Sequence, residues 1–81
     1  MTTRLILFGR SYCHLCDDMV SALKKLQESH DFTFRVLDVD TDPGLEARYG
    51  ELVPVLTDTM GSEICHYFLD IAALQARLAV K

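Results

Sequence analysis

The sequence predicts an α/β domain: a four-stranded mixed sheet with three helices on its two faces. Three observations lead there. Short apolar runs and segments of helical periodicity follow one another in the order strand, helix, strand, helix, strand, strand, helix. The first helical segment is long enough to cross between two parallel strands. The last two strands are separated by so few residues that they form an antiparallel hairpin. With 81 residues, the chain is one domain, residues 1–81, with room for one modest core.

Residues Leu5 to Phe8 are all apolar, which suits a central strand buried on both faces, and Gly9 ends it. Arg10-Ser11-Tyr12 form a loop. A helix is predicted from Cys13 to about Ser29, because Leu15, Cys16, Met19, Val20, Leu23 and Leu26 recur in steps that mark one buried face. Asp17 and Asp18 near its start, with Lys24 and Lys25 further along, complement the helix dipole. Ser29-His30-Asp31 is a turn. Phe32 to Val39 is the second strand, with Phe32, Phe34 and Val36 alternating with Thr33 and Arg35 before the run becomes more continuously apolar. Strand, helix, strand at this spacing implies a parallel pair joined right-handedly.

Asp40-Thr41-Asp42-Pro43 starts a short second helix, with Thr41 or Asp42 as its cap and Pro43 in the first helical position. Leu45 and Tyr49 share its buried face, and Gly50 is expected to terminate it. Leu52 to Thr57 is the predicted third strand, with Pro54 near its start, where a missing N–H matters least. Asp58-Thr59-Met60-Gly61 turn the chain into a fourth strand, Glu63 to Phe68. Asp70 is expected to cap the last helix, whose buried stripe is Ile71, Leu74 and Leu78.

Composition excludes several classes of function. The net charge is -4, from 12 acidic and 8 basic residues, and the basic residues are scattered. Such a surface does not favour nucleic-acid phosphates or anionic lipid. No apolar run is long enough for a membrane span. Met1-Thr2-Thr3-Arg4 leads into too few apolar residues for a signal-peptide core, so the expected location is cytoplasmic. Three cysteines, an odd number, argue against a structural disulfide framework. They favour a catalytic pair with a spare buried thiol, or a metal site.

The main chemical clue is Cys13-His14-Leu15-Cys16, a C-x-x-C at the junction of the first strand and the first helix. Thiols three residues apart share a helical face, a spacing compatible with a disulfide. Elsewhere the motif is half of a zinc site or chance; between a strand and a helix it reads as redox. Cys65 and His66 would complete a four-ligand metal set, but neighbours on a strand point to opposite faces, so Cys65 reads as a buried thiol.

With the dithiol at the start of the first helix and Val53-Pro54 opening the third strand, the chain resembles the glutaredoxin-like branch of the thioredoxin-like superfamily. Within it, the small bacterial glutaredoxin-like proteins are most similar, with a leucine before the second cysteine as Leu15 stands here. The resemblance implies that Cys13 is the nucleophile, Cys16 the resolving thiol, and Val53-Pro54 a cis-proline dipeptide beside them. Three departures stand out. His14-Leu15 replace the usual Pro-Tyr. Leu52 replaces a threonine. Tyr67-Phe68-Leu69-Asp70 replace the segment whose glycine pair forms part of the family's glutathione site, with Asp70 at the capping acid.

The expected chemistry follows. Only a thiolate attacks a disulfide, and a helix N-terminus or nearby cation lowers a cysteine from about 8.5 to roughly 3.5–7.5. Arg10 and His14 are candidate thiolate-tuning residues, opposed by Asp17 and Asp18, so a moderate shift is expected. Arg10 could also steer an anion or be an ordinary surface cation, and His14 reads equally as a solvated loop residue. Cys16 falls on the apolar stripe and should be the more buried thiol. Tyr12, Val53 and Pro54 are the candidate substrate-binding residues, the backbone of Val53 pairing with an extended substrate segment.

The expected function is thus a small thiol-disulfide oxidoreductase, an electron-transfer enzyme of cell redox homeostasis. It is expected to act as a monomer on protein or glutathione-mixed disulfides, recharged by a thiol reducing system. No cofactor is required, and glutathione is a candidate reductant. Two alternatives come from other classes: a glutathione- or iron–sulfur-cluster-binding module, and a thioredoxin-fold interaction domain with an inert dithiol.

Overall fold

The computed structural model describes residues 2–79; Met1, Val80 and Lys81, at the ends of the expected domain, lie outside the described residues. Four strands and three helices alternate as β1 (Thr3–Gly9), α1 (His14–Leu26), β2 (Phe32–Asp38), α2 (Pro43–Tyr49), β3 (Val55–Asp58), β4 (Glu63–His66) and α3 (Ile71–Ala79). A single 3₁₀ turn, Val39–Thr41, links β2 to α2. The sheet order is β2-β1-β3-β4. β1 runs parallel to β2 and antiparallel to β3, and β3 pairs with β4 as the hairpin. The fully apolar run of β1 therefore occupies the centre, as its composition predicts.

Alternation along β1 divides the core. Leu5 and Leu7 point to one face, where Met19 and Leu23 of α1 and Leu74 of α3 cover them together with Phe32, Leu56 and Cys65. Phe8 points to the other face, where Val39, Val55 and Tyr49 of α2 surround it. Its ring stacks on Tyr49 with centroids 4.2 Å apart. Leu7, Leu23, Leu56 and Val55 are completely buried, each contributing about 1.5–3 kcal/mol of transfer free energy.

The caps follow the sequence where a side chain can reach. Asp42 Oδ1 accepts from Gly44 N at 2.7 Å, with Pro43 in the first helical turn. Asp70 Oδ1 accepts from Ala73 N at 3.0 Å.

Several boundaries differ from expectation, each for a local reason. α1 ends at Leu26, because His30 N and Ser29 N both close on the Leu26 carbonyl, and Gln27 Nε2 turns away to donate to Phe32 O. β3 begins at Val55 rather than Leu52, since Leu52 N closes a turn on Tyr49 O and Pro54 has no N–H for the ladder. β4 stops at His66, because Tyr67 takes a left-handed φ of 62°. Ile71, expected in the buried stripe, is 48% exposed. Helical side chains lean toward the N-terminus, so at the first position of α3 it projects past the helix end. Val36 is likewise 52% exposed, because β2 is an edge strand.

Gly50 caps the C-terminus of α2, as expected of a terminator, with right-handed backbone at φ −54°. Its requirement is space: a Cβ there would lie 2.5 Å from the Glu46 carbonyl oxygen and 2.0 Å from Glu46 Oε2.

Candidate active site

The loop after β1 delivers Cys13 to the N-cap of α1, with extended backbone (φ −116°, ψ 105°). A cysteine is an unusual cap, but its sulfur takes the role of a capping oxygen: Cys16 N donates to Cys13 Sγ at 3.1 Å. One turn on, Cys16 falls on the buried stripe with Met19 and Leu23. A disulfide joins Cys13 and Cys16, with Cα atoms 5.2 Å apart. The two are unequal, Cys13 partly exposed and Cys16 only 6% exposed.

Gly9 makes room for the buried sulfur. A Cβ at Gly9 would meet Cys16 Sγ at 3.3 Å and Cys16 Cβ at 3.5 Å. In the sequence Gly9 reads only as a strand breaker; its second role depends on α1 folding back over the end of β1.

Tyr12 precedes the dithiol at φ 57° and is fully exposed. His14 is exposed at the first position of α1. Arg10 meets carboxylates from the next elements of the chain. Its guanidinium is paired with Glu46 of α2, and Asp40 lies at 3.5 Å. Both carboxylates compete for the charge that the sequence suggests for Cys13, so Arg10 acts as a tie between the β1–α1 loop and α2.

The Val53–Pro54 peptide is cis. Pro54 is buried and Val53 packs at the edge of the α2-side core. The Pro54 carbonyl accepts from Tyr67 N at 2.9 Å, and Tyr67 Oη donates to Glu51 O at 2.9 Å. These bonds fix the β4–α3 connection to the proline loop. The same connection faces α1 across a cleft of about 180 Å³ lined by Leu15, Asp18, Met19, Tyr67, Phe68 and Leu69. Phe68 stands 69% exposed where the resemblance calls for glycine.

On the other side of α1, a cleft of about 190 Å³ reaches Cys16 between Gly9, Arg10, Asp17, Val20 and Asp38. Cys65 stands in the α1/α3-side core, and burial pushes its thiol up from the usual range. His66 is exposed and bonded to Glu63 at 2.9 Å, so the two neighbours point apart.

The sheet order, the helices on both faces and the disulfide at the head of α1 define a thioredoxin-like protein with a C-x-x-C cysteine pair. More narrowly, the family described as Glutaredoxin-like domain (DUF836) matches residues 4–79, and the chain belongs to it. Among solved structures, protein Ne2328 from Nitrosomonas europaea is 36% identical over 98% of this chain and 94% of its own, with a TM-score of 0.88. Protein XcR50 from X. campestris is 40% identical over 91% of this chain and 93% of its own, with a TM-score of 0.70. Thioredoxin 1 from Thermosipho africanus shares the fold at 20% identity, covering 93% of each chain with a TM-score of 0.60. No curated protein matches. Among the described residues, no helix is long and apolar enough to cross a membrane.

Proposed function

We propose that this protein is a thiol-disulfide oxidoreductase that reduces protein or mixed disulfides through Cys13 and Cys16. The observation that carries the reading is the inequality of the pair: a partly exposed sulfur at a helix N-cap, bonded to a helix amide and joined to a buried sulfur one turn on. An N–H aimed at Cys13 Sγ stabilises the thiolate more than the thiol, as does the helix dipole.

In the reduced enzyme the Cys13 thiolate attacks one sulfur of a substrate disulfide. A Cys13–substrate bond forms, the substrate S–S bond breaks, and the departing thiolate takes a proton from solvent. Cys16 then loses its proton, and its thiolate attacks Cys13 Sγ. The Cys13–Cys16 disulfide forms and the second substrate sulfur leaves. Two electrons pass from the enzyme to the substrate, and an external dithiol or two monothiols must restore them. Glutathione is one candidate for that role.

In this reading Tyr12 and the backbone of Val53 line the approach to Cys13, so an extended segment of a disulfide-bearing chain binds there. The enzyme works as a monomer in a thiol-rich compartment such as the cytoplasm, needs no cofactor, and recognises main chain more than side chains.

The test is reduction of insulin and of a glutathione-mixed disulfide by wild type, Cys13→Ser and Cys16→Ser. Turnover by wild type that Cys13→Ser abolishes supports the reading. Equal behaviour of wild type and Cys13→Ser overturns it. A visible absorption band in anaerobically purified protein would instead favour a cluster-binding module.

A further inference from the structure

The dithiol occupies one end of the sheet. The opposite end of the α2-side face is left open, for a simple reason of length. α2 has seven residues, about 10 Å of helix, and β1 has seven, about 23 Å of strand. The helix covers Phe8, Val39 and Val55 and reaches no further than the margin of Ile6. Beyond it, the register sets Arg4 beside Thr33 and Ile6 beside Arg35. Partners in register share a face, so both arginines rise from the same uncovered half. They line a cleft of about 380 Å³ together with Ile6, Thr33 and Thr59.

The charge there is uncompensated. Of the five arginines, Arg10 is held by Glu46, Arg77 by Asp58, and Arg48 lies over the Tyr49 ring. Among the described residues, Arg4 and Arg35 have no carboxylate within ion-pair distance, although the chain carries 12 acidic residues. Two carboxylates at this end are engaged elsewhere, Asp31 by Thr2 Oγ1 at 3.4 Å and Asp58 by Arg77, and neither is part of the cleft wall. The two arginines are diagonal neighbours across the β1–β2 pair, roughly 7–8 Å apart at the backbone, a spacing at which their long side chains can close on one anion.

We propose that this cleft is a binding site for a small organic anion, carrying phosphoryl or carboxylate groups, that bridges Arg4 and Arg35. Guanidinium groups offer paired donors to either kind of oxyanion. Thr33 and Thr59 flank them with exposed hydroxyls, and Ile6 provides an apolar floor for the rest of the molecule. The site lies roughly 16 Å along β1 from the strand end that carries the dithiol, and it is independent of the redox proposal.

The test is an amide NMR titration of the whole chain with pyrophosphate and, separately, with citrate, at constant ionic strength set by sodium chloride. Saturable shifts centred on Arg4, Ile6, Thr33, Arg35 and Thr59 with at least one probe support the site. Response to pyrophosphate alone marks a phosphoryl ligand, and response to citrate alone a polycarboxylate. The double variant Arg4→Gln/Arg35→Gln should weaken binding at least about tenfold, while Arg48→Gln should leave it unchanged. Thr33→Glu, an exposed substitution on the edge strand, places a carboxylate between the arginines and should weaken binding similarly even if the double variant fails to fold. No saturable shift with either probe, shifts centred elsewhere, or unchanged affinity in folded Thr33→Glu would overturn the proposal.

Discussion

Cys16 N donates a hydrogen bond to Cys13 Sγ at 3.1 Å, so the buried cysteine supplies the amide that addresses the exposed sulfur. Under the proposed function, that amide favours the Cys13 thiolate, and the same helix holds Cys16 one turn away.

The first expectation concerns the division of labour. Cys13→Ser should lower disulfide reduction at least about 10³-fold, to background. Cys16→Ser should keep the first attack and accumulate a Cys13–substrate adduct, read by mass spectrometry under non-reducing conditions. Adducts on Cys16 in place of Cys13 would reverse the assignment.

Alkylation should rank the three thiols. In reduced native protein Cys13 should react with iodoacetamide first, and Cys65 at least about tenfold more slowly. Burial raises the Cys65 pKa above the ordinary thiol range, so its thiolate, and its labelling, appear only at higher pH. Peptide mapping of a timed reaction checks the order.

Gly9→Ala brings a methyl to 3.3 Å from Cys16 Sγ. A destabilisation of about 1–3 kcal/mol is expected from overpacking, measured as a fall in the denaturant midpoint. Gly44, where a Cβ would meet only the Asp42 carboxylate at 3.2 Å on an exposed turn, offers the comparison and should change less.

Arg10→Gln separates the two readings of that cation. Because Glu46 and Asp40 engage the guanidinium at the surface, stability should fall by no more than about 1 kcal/mol. The thiolate titration of Cys13, followed by absorbance at 240 nm or by alkylation rate against pH, should stay within about 0.5 unit of wild type. A larger rise would support Arg10 as a tuning residue.

Acid should loosen the hairpin first at Asp58. Its carboxylate accepts from Met60 N and Ser62 N, each at 2.9 Å, and pairs with Arg77. Donation from Ser62 leads the causes that hold its pKa below 3.8, with burial opposing and Met60 and Arg77 assisting. A pKa lowered on folding gives stability that is present above the unfolded pKa and lost as pH falls through the folded one. Asp58→Asn should therefore cost about 1 kcal/mol at pH 7, and the difference from wild type should shrink below about pH 4. Thermal melts at both pH values read it.

How much of this was legible depended on the range of the interaction. The dithiol, the stripe Cys16-Met19-Leu23, the proline start of α2 and the Asp70 cap are all patterns within a few residues, and the structure realises each. The glycines show the limit. Gly50 read as a helix terminator and does cap α2, and Gly9 read as a strand breaker and does end β1, but the crowding of Gly50 by the Glu46 carbonyl and the close approach of Cys16 Sγ to Gly9 were not legible. A sequence names a residue without chain neighbours that arrive from elsewhere.

By itself, then, the sequence determined the element order, the central place of β1, the family resemblance and the inequality of Cys13 and Cys16. All of these follow from periodicity and spacing along a short stretch of chain, or from motifs that remain adjacent. The tertiary structure alone decided where the charges go. Arg10 meets Glu46 across 36 positions and Arg77 meets Asp58 across 19, while Arg4 and Arg35 are left facing an open half of the sheet. Long flexible side chains take whichever partner the closed chain brings within reach, and no local pattern encodes that choice.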